Sequence, residues 1–199
     1  MQVFPQKHSK RITDLHSDRG TNFISASEDG TLQFYDLRTL QPHTQLVAGS
    51  NRVPIYSVTG NQRIVASGTT EDILIWDTRS LKQPLFRFEE GHNEDVTCLE
   101  VRNEQLLSCS IDQVLNIYNL QYQAGASEES MIDGAYSSQQ SLLQCGFVSE
   151  HVIWTQTSIN TVELVRVEDA TLFLTISKVS EPGFDWPLVP TRCDLPGGL

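Results

Sequence analysis

His8, His16, His43, His92 and His151 form no His-x-x-x-His pair, and the chain has no Gly-rich phosphate loop, Gly-x-Ser-x-Gly elbow or Glu-His zinc motif. Cys98, Cys109, Cys145 and Cys193 are far apart and include no Cys-x-x-Cys pair. Neither a zinc site nor a disulfide framework is expected, and the first three, set in apolar runs, read as small hydrophobes. Asp29, Asp72 and Asp112 could supply carboxylates. Their turn setting favours a local role instead, because Asp caps its own backbone there and Gly accepts positive φ. The expectation is no catalytic group, no metal, no cofactor and no enzyme.

One doubled motif could recognise a partner. Tyr35-Asp36-Leu37-Arg38 and Trp76-Asp77-Thr78-Arg79 place two arginines 41 residues apart. Each ends a strand-like run, so the guanidiniums of Arg38 and Arg79, next to Asp36 and Asp77 in a candidate partner-binding site, form a two-toothed donor surface suited to carboxylates or backbone carbonyls. The competing reading is a local pair between each Arg and the preceding Asp.

The elements that carry these residues recur. Residues 23–38 align with 64–79 and again with 106–120, and the aromatic anchors Tyr35, Trp76 and Tyr118 are spaced by 41 and 42 residues. Each unit reads as short strands with an Asp turn and no room for helices. In the second unit the expected strands are 55–58, 63–68, 73–77 and 85–88. A weaker fourth unit offers 142–148, 151–157, 161–167 and 171–177, with Val165 and Arg166 where the aromatic pair should stand. Residues 123–140 read as a long surface loop around a weak outer strand, and Pro and Gly forbid a regular strand after Glu181.

The 199 residues carry 14 Lys plus Arg against 25 Asp plus Glu, a formal charge of −11. That excess disfavours duplex nucleic acid and anionic membranes, and it weakens any use of the three aromatics as base-stacking platforms. The one basic run, Lys7 to Arg11, reads as a solvated leader. No stretch approaches the roughly 18 apolar residues of a membrane span, so an intracellular protein, cytoplasmic or nuclear, is expected.

The Gly91-His92 opening, Asp95-Val96, Ser110, Asp112 and Tyr118-Asn119 resemble a WD repeat. The resemblance implies an all-β WD-repeat β-propeller with about four recognisable blades, at 11–50, 51–90, 91–140 and 141–177. A leader (1–10) would precede them and an irregular tail (178–199) would follow. It also implies a hydrogen-bonded network of His92, Ser110 and Asp112, with Tyr118 replacing the family's Trp and Trp76 as the matching anchor of the second unit. The Gly-His pair is absent from the first two units, and these departures from the family's pattern predict less rigid blades than in its most regular members. Stacked blades should bury Ile64, Val65, Leu74, Trp76, Leu106, Val114 and Ile117.

The implied function is a noncatalytic scaffold for other proteins. The doubled Asp-x-Arg ending resembles the box by which some WD-repeat proteins bind the adaptor of cullin–RING ubiquitin ligases as substrate receptors. The alternative is a propeller enzyme or ligand-binding module that uses the central channel. Closed rings in the family commonly hold about seven blades in close to 300 residues. The expected architecture is therefore a partial, open propeller, with self-association through its unpaired blade edges.

Overall fold

A computed structural model describes residues 8–17, 21–39, 41–47, 52–121 and 127–177. The expected tail at 178–199, including Cys193, lies outside them, as do residues 1–7.

Sixteen strands form four antiparallel four-stranded sheets, each a simple up-and-down meander. The first holds β1 (Ile12–Ser17), β2 (Asn22–Ser27), β3 (Thr31–Asp36) and β4 (Gln41–Val47). The second holds β5 (Ser57–Gly60), β6 (Ile64–Gly68), β7 (Ile73–Asp77) and β8 (Phe86–Phe88). The third holds β9 (Val96–Arg102), β10 (Gln105–Ser110), β11 (Val114–Asn119) and β12 (Ile132–Ser137). The fourth holds β13 (Leu142–Phe147), β14 (Val152–Thr157), β15 (Val162–Arg166) and β16 (Leu172–Ile176). The sheets stack in sequence order, with the first strands β1, β5, β9 and β13 adjacent in turn, the arrangement of a partial propeller.

The strand period of two explains why the middle of each blade reads as a continuous apolar run. Leu74 and Trp76 of β7 point toward the first sheet, into a cluster with Ile24, Leu32, Phe34 and Val65. Their neighbours Ile73 and Ile75 point the other way, toward Phe88, Val96, Leu99 and Leu106. A third cluster, with Leu107, Leu115, Ile117, Leu142 and Ile153, lies between the third and fourth sheets. Strands buried on both faces need apolar residues at successive positions rather than at alternate ones. Of the expected core, Ile64 and Val114 are only half-buried.

The last sheet shows the converse. No sheet covers its outer face among the described residues, and every residue of β16 is exposed. The stretch expected to be loop contains a short helix, α1 (Glu128–Met131), capped by the Ser127 hydroxyl, before β12. Helix α1 is fixed by Glu128, whose carboxylate accepts from the backbone N–H groups of Glu89 and Glu90 at 2.7 and 3.1 Å.

Candidate functional site

In the third sheet the strand hairpin β10–β11 and the segment entering β9 converge on one imidazole. His92 lies 2 % exposed. Its Nε2 is 2.6 Å from Ser108 Oγ, and its Nδ1 is 3.1 Å from Asp112 Oδ2. Asp112 also accepts from the backbone N–H groups of Asn93 and Val114, each at 2.9 Å. Burial pushes its carboxyl upward, but the bonds from His92, Asn93 and Val114 outweigh burial and hold it below the usual carboxylate value. Tyr118 stacks on Phe88 at 4.3 Å and completes the cluster, its hydroxyl close to Ser108 and Asn116. Burial first, and then the charge of Glu128, push its phenol upward. The glycine before His92 has a steric reason, because a Cβ at Gly91 would collide with the Tyr118 hydroxyl.

The hydroxyl beside His92 thus belongs to Ser108, not to Ser110 as the sequence expectation had it. Side chains alternate along β10, so both serines lie on one face, but Ser108 is the one level with the imidazole. Ser110 instead donates to the Glu94 carbonyl and accepts from the Asp112 N–H, shaping the turn. Trp76, expected as the matching anchor, joins no such network among the described residues and is packed between the first and second sheets.

The structure adds a second cluster that sequence reasoning overlooked. His8, read as part of a solvated leader, is buried, with Nε2 2.6 Å from Ser25 Oγ and Nδ1 3.3 Å from Asp29 Oδ2. Asp29 accepts from Ser9 N at 2.7 Å and from Thr31 N at 3.0 Å. Burial pushes the Asp29 carboxyl up, but these bonds, the Thr31 hydroxyl and His8 together leave it below its ordinary value. The leader reading fits Lys10 and Arg11, which are exposed, and fails for His8. The missing glycine hid the match. The available signal was that Ser25 and Asp29 precede Ser108 and Asp112 by the same 83 residues.

The second sheet differs. Ser67 holds the place of Ser25 and Ser108, and its buried hydroxyl has no hydrogen-bond partner among the described residues. The turn between β6 and β7 is one residue shorter than its counterparts, and Asp72 turns to Arg87 at 2.6 Å. Asp29 and Asp112 cap their own turns by accepting from the N–H groups of Thr31 and Val114, whereas the Asp72 carboxylate pairs with Arg87 instead.

The arginine pair lies on the opposite rim, at the turns after β3 and β7. Arg38 bonds Asp36 through Nε and Nη2 at 3.1 and 2.7 Å, and Arg79 bonds Asp77 the same way at 3.1 and 3.0 Å. The Arg38 bonds hold the Asp36 carboxyl down to about 2, and those of Arg79 lower Asp77. Local pairing is therefore present, yet the two arginine side chains remain 70 % and 84 % exposed. A cavity of about 330 Å³ between the first two sheets is lined by Ile24, Phe34, Val65 and Leu81 and by the polar residues His16, Asn22, Asn61, Gln62 and Thr78. Asn22 is the cross-strand partner of Asp36, and Thr78 sits between Asp77 and Arg79.

A second cavity, about 250 Å³, runs along the inner strands and touches Thr13, Asp14, Tyr56, Thr97, Gln144 and Trp154. Its one carboxylate, Asp14, accepts from the N–H groups of Leu15 and Val58 at 2.8 and 2.9 Å. Among the described residues the lining holds no second carboxylate and no imidazole beside Asp14.

The family model "WD domain, G-beta repeat" matches residues 2–36 and 82–119. Those are the two segments that contain the His8 and His92 clusters. WD repeat-containing protein GTS1 of Arabidopsis thaliana is 26% identical over 187 residues, covering 87% of this chain and 47% of that protein. The uncharacterized WD repeat-containing protein YNL035C of Saccharomyces cerevisiae is 26% identical over 156 residues, 74% of this chain and 39% of its own length. Histone acetyltransferase type B subunit 2 of Candida glabrata is 28% identical over 125 residues, with 60% and 30% covered. The chain thus spans less than half the length of these relatives. Among solved structures, the computationally designed Ika8 protein superposes with a TM-score of 0.71 at 19% identity, over 85% of this chain and 50% of that one, a likeness of fold.

Proposed function

The chain belongs to the WD-repeat family, and from that premise we propose that it is a noncatalytic protein–protein interaction scaffold, the role in which WD-repeat proteins act. The observation that carries this reading is the rim after β3 and β7. Two arginines are held in matching orientation by their own aspartates, and the lining of a cavity of about 330 Å³ includes Thr78, the residue before Arg79, and Asn22, the cross-strand partner of Asp36. Their pre-set geometry lowers the entropy lost when a partner's carbonyl or carboxylate docks, and the cavity takes an apolar side chain.

The finer reading is a substrate receptor for a cullin–RING ubiquitin ligase, with Asp36, Arg38, Asp77 and Arg79 as the contact to the ligase adaptor. Affinity purification with mass spectrometry tests it, comparing wild type with Arg38→Ala/Arg79→Ala. The adaptor should be recovered with wild type and lost with the double variant. Recovery with both, or with neither, overturns the ligase reading, and the scaffold reading is then judged by whichever other partners copurify. A cytoplasmic or nuclear location goes with this proposal. Among the described residues no helix is long and apolar enough to cross a membrane.

A further inference from the structure

Three cysteines that the chain spaces by 11 and 36 residues meet between the third and fourth sheets. Cys98 of β9 and Cys109 of β10 are direct cross-strand partners, so their side chains leave the same face of the sheet. Cys145 of β13 approaches from the sheet opposite. All three are buried and none is in a disulfide, and their sulfurs lie within 4.8 Å of one another. The Thr97 hydroxyl is 3.5 Å from Cys109 Sγ, and the Cys145 carbonyl is 3.6 Å from Cys98 Sγ. The cavity of about 250 Å³ along the inner strands reaches Cys98 and Cys145, which gives a small solute a way in.

We propose that Cys98, Cys109 and Cys145 form a three-sulfur binding site for a soft, thiophilic metal ion, with Cu(I) as the ion whose coordination they complete. Sulfur ligands select Cu(I), zinc or iron–sulfur centres over hard cations. Structural zinc takes four ligands and iron–sulfur clusters four thiolates, whereas among the described residues no imidazole, carboxylate or further thiol joins this group. Cu(I), a closed-shell ion, is satisfied by three sulfurs. With metal–sulfur bonds of about 2.3 Å, three sulfurs in a plane around a metal stand roughly 4 Å apart, within the observed spread. The apolar walls of the surrounding cluster, Leu107, Leu115, Leu142 and Ile153 among them, keep bulk water and its oxygen ligands away.

Burial pushes Cys109 up, and contact with the other two thiols, together with burial, pushes Cys145 up. Each sulfur that ligates as a thiolate releases its proton to solvent, so affinity rises with pH. A bound ion would also tie β9 and β10 to β13, adding to the apolar packing and to the bond from the Thr97 hydroxyl to the Leu142 carbonyl at 2.8 Å.

The test uses the full chain carrying Cys193→Ser, reduced and handled without oxygen. It is titrated with the Cu(I)–acetonitrile complex against a colorimetric Cu(I) chelator, and in parallel with Zn(II). One Cu(I) per chain, a raised melting temperature and an X-ray absorption first shell of three sulfurs are expected. Further replacement Cys109→Ser or Cys145→Ser, with folding checked by circular dichroism, should weaken retention by at least about tenfold. Loss of all copper to the chelator, a first shell of nitrogen or oxygen, or retention indifferent to Cys145→Ser would overturn the site. Preference for Zn(II) over Cu(I) would overturn the choice of ion. None of these outcomes depends on the arginine rim, so the site and the scaffold reading stand or fall separately.

Discussion

Replacing Asp112 by Ala removes one acceptor from three donors, and their burial sets the cost. His92 Nδ1, 3.1 Å away, is sealed from water, so leaving it unpaired costs about 1–3 kcal/mol. The Val114 N–H, at 2.9 Å and partly buried, loses a bond worth about 0.5–1.5 kcal/mol. The Asn93 N–H is exposed and water replaces the carboxylate at little cost. The sum is about 2–4 kcal/mol, or roughly 5–15 °C in melting temperature for a chain of this size. Urea unfolding followed by tryptophan fluorescence and far-UV circular dichroism measures it. Asp29→Ala should behave alike, since His8, Ser9 and Thr31 lose the same kind of acceptor. The pH dependence has a definite sign. A carboxylate depressed in the folded state adds stability that is fully present above its unfolded value of about 3.9 and is lost as pH falls through the lower folded value. Asp112→Ala must therefore lose less stability than wild type across that acid window. A change below about 1 kcal/mol at neutral pH would show that the His92 cluster does not tie the blade.

Other substitutions test neighbouring points. Gly91→Ala should destabilise by about 1–3 kcal/mol because its Cβ meets the Tyr118 hydroxyl. Combining it with Tyr118→Phe should give a coupling energy above about 0.5 kcal/mol in a double-mutant cycle, and strict additivity would refute the collision. Ser67→Ala should leave stability unchanged or raise it by up to about 1 kcal/mol. Ser108→Ala should instead cost about 1–2 kcal/mol, since His92 Nε2 loses its 2.6 Å partner. Equal losses in denaturation midpoint would contradict the difference between the two sheets. The exposed row Leu172, Phe173, Leu174 and Ile176 should drive concentration-dependent self-association. Sedimentation velocity should show that association reduced by Phe173→Lys with Leu174→Glu, and an unchanged profile would rule the row out.

Most of the fold can be read along the chain because it rests on short-range signals. The recurrence of Tyr35, Trp76 and Tyr118, the apolar run at 73–76 and the Asp turns specify strands and a blade period through local sterics and side-chain alternation. The paired Asp36–Arg38 and Asp77–Arg79 are legible for the same reason, since each pair closes within three residues. What the period could not give is registry between distant segments. Whether Ser108 or Ser110 meets His92, and whether His8 joins Ser25 and Asp29, depends on how the entering segment lies across a hairpin some 16–21 residues away. Bringing Cys98 and Cys109 to the same point as Cys145 required two sheets to face each other. The sequence by itself determined the strands and their repeat because those follow from neighbouring residues. The tertiary structure alone decided which side chains became neighbours, because packing one sheet on the next sets distances that no local spacing encodes.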